Sequence, residues 1–157
     1  MIHIAKNNLI IFYIVALFLL SNAARADDEK IFEGVHELPL EAQKFTHSEG
    51  KAAILSQCSA LFLSMSNIWS AEDTVNKTLL HSFGEKLYEK AVWMKGGLEK
   101  ESLSKAEQKL AINWVQEKIS GFHQNYVDLM MVQQQQTGNI FSDFISMDVQ
   151  VCNVLLE

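Results

Sequence analysis

Between positions 54 and 69 the apolar side chains Ile54, Leu55, Cys58, Leu61, Phe62, Met65, Ile68 and Trp69 recur at steps of three and four. That spacing gathers them on one face of a helix but scatters them over both faces of a strand. The segment can therefore bury its apolar surface on one side only as a helix. The chain around it holds one Pro and seven Gly in 157 residues. A sheet-rich domain needs turn residues every ~8–12 positions, and this sequence does not supply them. The fold class expected is all-α.

The first helix is predicted over about 47–69, opened by Thr46-His-Ser-Glu49, in which hydroxyl and carboxylate can satisfy orphan backbone donors. A second is predicted over about 71–95, with Ser70 as N-cap. Its inward residues are Leu79, Leu80, Phe83, Leu87, Ala91 and Met94, and Gly96-Gly97 is its stop. The third spans about 103–134, with Ser104-Lys-Ala-Glu107 as a cap. It has a stripe of Leu110, Trp114, Val115, Ile119, Phe122, Tyr126, Leu129 and Met130, interrupted by Gly121. The fourth spans about 140–156, with Asn139 as N-cap after Gly138 and Phe141, Phe144, Ile145, Val151, Cys152 and Leu155 facing inward. Short connections imply antiparallel neighbours. The expectation is a small antiparallel bundle of about four helices over residues 46–157, preceded by an N-terminal arm at 27–45 that Pro39 keeps from being one long helix.

The first 26 residues read as a cleavable leader. Lys6 precedes an unbroken apolar run from Leu9 to Leu20. At about 12 residues that run suits a signal sequence, whereas a spanning helix needs roughly 20. Ala24 and Ala26 place small side chains where a signal peptidase requires them, so cleavage is expected after Ala26. The expected location is the periplasm, with secretion as the alternative and no membrane association after cleavage. Of the 13 cations, Lys6 and Arg25 leave with the leader, so 11 face 19 acids. That balance argues against nucleic acid and anionic membrane surfaces, which bind through clusters of Lys and Arg.

Cys58 and Cys152 are the two cysteines. An even count in an oxidising compartment points to a disulfide, and only one pairing exists. Such a bridge would tie the first helix to the last. CxxC and CxxCH spacings are absent, which removes the usual redox and covalent-haem motifs.

Chemistry-bearing constellations are sparse. Glu33-Gly-Val-His36 has the Glu-x-x-His spacing of di-iron bundles, but only once and in the arm. His81, Glu85 and Glu89 stand at helical spacing and read as an ordinary solvated face. His123 and Met65 are the residue types that ligate haem in exported bundles, yet a lone His at a stripe edge is more often bonded to solvent or backbone. There is no GxSxG elbow, P-loop or dinucleotide fingerprint. No metal site, cofactor or catalytic residue is assigned, and a non-enzymatic protein is expected. Asn76-Lys-Thr78 has the form of a glycan acceptor, which matters only in a eukaryotic secretory route.

What remains is surface. Trp93 sits off the second helix's apolar stripe, and Met130-Met131 gives the third helix apolar residues on more than one side. These three are the candidate interaction surface, for a protein partner or a homodimer. Alternatively Trp69, Trp93, Trp114, Phe122 and Tyr126 line an internal cavity for a small molecule. The layout of a leader, a small helical domain and one Cys in each terminal helix is similar in outline to helical periplasmic immunity proteins that neutralise type VI secretion effectors. The outline implies an interaction module that is inhibitor- or immunity-like. It carries over no individual residue, and the LTxxQ motif of periplasmic stress chaperones is missing.

Overall fold

The computed structural model describes residues 33–37, 48–69, 73–97 and 104–157. The expected leader and cleavage point, most of the expected 27–45 arm, the expected Thr46 cap and Ser70 lie outside the described residues. Among those described, the fold is all-α. A short 3-10 helix, Val35–Glu37, is followed by α1 (Ser48–Ile68), α2 (Thr74–Gly96), α3 (Lys105–Thr137) and α4 (Asp143–Val154).

Helix α1 is the centre, and it is buried on nearly every side along its middle, from Leu55 to Phe62. Its composition suits that position. Ser56, Ser59, Ser64 and Ser66 are buried beside the apolar stripe, and small hydroxyls let neighbouring backbones approach. Ser56 Oγ donates to the Ala52 carbonyl at 2.7 Å, within its own helix. Ser59 Oγ donates to the Gly84 carbonyl of α2 at 2.8 Å, and Ser64 Oγ to the His123 carbonyl of α3 at 3.2 Å. The hydroxyls of Ser56, Ser59 and Ser64 thus each have an acceptor, which removes the desolvation penalty they would otherwise carry.

Helix α2 runs antiparallel to α1. Phe62 meets Phe83 edge-on at 5.6 Å, and Lys95 reaches Glu49 at 3.1 Å at the far end. Gly84 lies at their closest approach: a Cβ there would stand 2.7 Å from Leu63 Cγ. Helix α4 also runs back along α1, from the Trp69–Phe141 ring contact at 6.0 Å to the disulfide between Cys58 and Cys152, whose Cα atoms are 5.4 Å apart. The expected bridge between first and last helix is therefore present.

Two caps differ from expectation. Helix α2 is capped by Asp73, whose carboxylate accepts from the Asn76 amide at 3.2 Å. Trp69 Nε1 donates to the same carboxylate at 3.1 Å. That fixed acceptor lets the helix begin later than Ser70 would allow. Helix α4 is capped by Ser142, not Asn139. Asn139 instead accepts from the Phe141 amide in the preceding turn, so the helix starts at Asp143. The Ser104–Glu107 box does open α3, and Gly138 closes it in the left-handed region at φ 77°.

The outer helices bury narrower faces than their stripes suggested. Leu79, Leu110, Leu129 and Val151, expected inside, are exposed. The reason is geometric. Helices α2 and α3 pack chiefly against α1, so a stripe such as Gly84, Leu87 and Ala91 is all that α2 fully buries.

Candidate functional site

Asp148 projects from α4 into the protein interior, one turn before Cys152 and on the same face. It is fully buried. A carboxylate in that position persists only if its oxygens are met by donors, and here they are. The His36 backbone N–H donates to Oδ1 at 2.8 Å, and His36 Nδ1 lies 2.5 Å from the same oxygen. The Tyr126 hydroxyl of α3 donates to Oδ2 at 2.5 Å. Gln57 of α1 donates to Tyr126 Oη at 3.4 Å and to the Glu33 carbonyl at 2.9 Å.

Four separate parts of the chain thus meet on one acid. Burial first, and then the neighbouring Asp148 charge, push the Tyr126 phenol far above its ordinary range, so it stays a donor. The 3-10 helix is held tightly: a Cβ on Gly34 would come 2.6 Å from Phe144 Cζ and 2.9 Å from Asp148 Oδ1. Phe144 packs edge-on against the His36 ring at 4.8 Å.

An Asp–His pair orients the base in hydrolytic triads. Among the described residues, however, no hydroxyl or thiol hydrogen-bonds His36 Nε2, and the acid's remaining capacity goes to a backbone amide and a phenol. The arrangement is that of an anchor for residues 33–37. The Glu33-x-x-His36 spacing, considered for metal, places its histidine on this anchor. No group of three His, Cys, Asp or Glu among the described residues is arranged to hold a metal ion. His81 and Glu85 form an exposed pair at 3.5 Å. Met65 is buried in the core, and His123 Nε2 lies 3.0 Å from Asn67 Nδ2.

The surface offers a different feature. Trp93 is 63% exposed, at the edge of a groove of about 510 Å³. Its walls come from α1 (Lys51, Ile54, Leu55), α2 (Lys90, Trp93, Met94) and Leu155, just past α4. Among the described residues, the groove is bounded by the N-terminal half of α1, the C-terminal half of α2 and the residue that follows α4. Lys90 Nζ is fixed there by donating to the Leu155 carbonyl at 2.8 Å. A second, more polar hollow of about 570 Å³ lies between the end of α2 and the start of α3, against Trp114. Lys95 Nζ stands 4.5 Å from the centre of that indole.

The three candidate surface residues are placed differently. Trp93 lines the groove. Met131 is 42% exposed on the last third of α3 and does not line it. Met130 is 0% exposed and is core, because its neighbour takes the outward position in the helical rotation. Of the aromatics proposed for one internal cavity, Trp93 and Trp114 line separate hollows. Tyr126 belongs to the Asp148 cluster. Sequence reasoning passed over Asp148 itself. The signal was there: an acid four residues before Cys152, on the inward stripe of α4.

No protein family, curated protein or solved structure matches this chain. Among the described residues, no helix is long and apolar enough to cross a membrane.

Proposed function

We propose that this chain is an exported, disulfide-stapled helical module of the periplasm that binds a protein partner through a rigid apolar face, in the manner of an inhibitor or immunity protein. The observation that carries the reading is on α4. Met147, Val151 and Val154 follow one another at steps of four and three and are 43%, 37% and 69% exposed. They form an apolar stripe on a helix whose other face is fixed by Cys152 and Asp148. Contiguous exposed apolar surface marks an interaction site more often than scattered residues do. A helix already locked in place loses little conformational entropy on binding. The leader-like first 26 residues and the disulfide support export.

The test uses protein recovered from the periplasmic fraction. Its N-terminus is expected at Asp27, and native mass spectrometry is expected to find a protein adduct or a dimer. Met147→Asp with Val151→Asp should abolish the complex and leave the helical circular dichroism unchanged. A doubly substituted protein that keeps its partner at the same stoichiometry would show that the stripe is not the site.

The second reading is a small-molecule-binding bundle, and the groove beside Trp93 favours it. Its volume is within the ~300–1,000 Å³ typical of ligand sites.

A further inference from the structure

We infer that the groove between α1, α2 and Leu155 is a site for a small amphipathic carboxylate: an apolar chain laid along its floor with an anionic head at its lysines. This rests on the second reading above and names its ligand class.

Two features select that chemistry. First, the floor and wall are apolar: Ile54, Leu55, Met94, Leu155 and the indole of Trp93. Second, among the described residues the charged side chains that line it are Lys51 and Lys90, with no acid beside them. The whole chain carries 19 acids against 13 cations, so a purely cationic lining runs against its composition.

Lys90 is also positioned in advance. Its ammonium has three donors, and one is already used on the Leu155 carbonyl at 2.8 Å. That bond orders the side chain before any ligand arrives and leaves two donors for a carboxylate. Capping α4 would by itself account for Lys90, but it leaves Lys51, across the groove on α1, without a purpose there. A neutral ligand would use the floor and bring no counter-charge to the two ammoniums at its edge. A cationic one would be repelled by them.

The probes are laurate and dodecyltrimethylammonium, which share an apolar chain and differ in the sign of the head. Both are titrated into the full mature protein below their micelle-forming concentrations. Intrinsic fluorescence and calorimetry are read together. Laurate is expected to change the fluorescence saturably and to bind at least tenfold more tightly than the cation. Trp93→Phe should remove the fluorescence change while calorimetry still detects binding. Lys51→Gln, on an exposed side chain, should weaken laurate by up to about fivefold, the upper end for one solvent-exposed charge pair. Added salt should weaken it in the same direction.

Equal binding of the two amphiphiles would overturn the carboxylate assignment and leave a ligand groove standing. Binding of neither would overturn both the assignment and the small-molecule reading. Laurate binding that Trp93→Phe and Lys51→Gln leave wholly unchanged would place the ligand elsewhere and overturn the proposal as well.

Discussion

Opening the Cys58–Cys152 bridge should remove a large share of this protein's stability. The two cysteines are 94 residues apart in sequence. Constraining a loop of that length in the unfolded chain contributes about 4–5 kcal/mol in the chain-entropy relation, against roughly 5–15 kcal/mol for the net stability of a domain. Both half-cystines are fully buried, so reduction must also fit two thiols into the space of one bridge, which adds to the loss. With a urea dependence of about 1.5 kcal/mol per molar, within the usual range, the unfolding midpoint should fall by about 3 M. The assay is a urea melt followed by far-ultraviolet circular dichroism, with and without reductant, repeated on Cys58→Ala, Cys152→Ala and the double variant. If loop closure is the cause, either single variant should lose nearly as much as the double, because each alone opens the loop. A midpoint shift below ~0.5 M on reduction, or single losses that add up in the double, would refute the reasoning.

Other outcomes follow from the same geometry. Asp148→Ala leaves the Tyr126 hydroxyl and the His36 amide without their acceptor and should cost about 3–5 kcal/mol by chemical denaturation. Combining it with Tyr126→Phe should cost less than the two separately, since both act on one hydrogen bond. Gly121 has nothing within 4 Å of where a Cβ would stand, so Gly121→Ala should stabilise α3 by up to about 1 kcal/mol. Gly84→Ala should do the opposite, because its methyl meets Leu63; thermal melts of the pair give the comparison. The hydrogen bond from Trp69, and then those from Asn76, hold the Asp73 carboxyl below its ordinary value. Its contribution is therefore present above the unfolded-state value and is lost as pH falls through the folded one. Asp73→Asn, which still caps but cannot ionise, should flatten the fall in stability below about pH 4.

The helices were legible because their signals are local. The 54–69 stripe, the Ser104–Glu107 box and the Gly97 and Gly138 stops depend on residues within a few positions of each other. The disulfide was legible because two cysteines allow one pairing. What the sequence could not show was rank. Each stripe looked equally entitled to the interior, yet α1 occupies the centre and Leu79, Leu110, Leu129 and Val151 are left outside. The Asp148 cluster was hidden for a related reason. Its members, Gln57, Tyr126, Asp148 and His36, are unremarkable alone and gain meaning only when four distant segments meet.

The central position of α1 also sets an order of events. Ribosomes and translocation channels deliver a chain N-terminus first, so α1 emerges before the helices that cover it. Cys152 and Asp148, which fasten α4, follow only after the whole of α2 and α3. For that interval a helix whose middle is buried on almost every side in the finished fold, and whose apolar stripe is then uncovered, has no neighbours, a condition in which unfinished chains associate with one another. Substitutions that stop α4 from docking, such as Cys152→Ala, are therefore expected to show first as aggregation of newly made chains, read as a loss of soluble protein at unchanged synthesis.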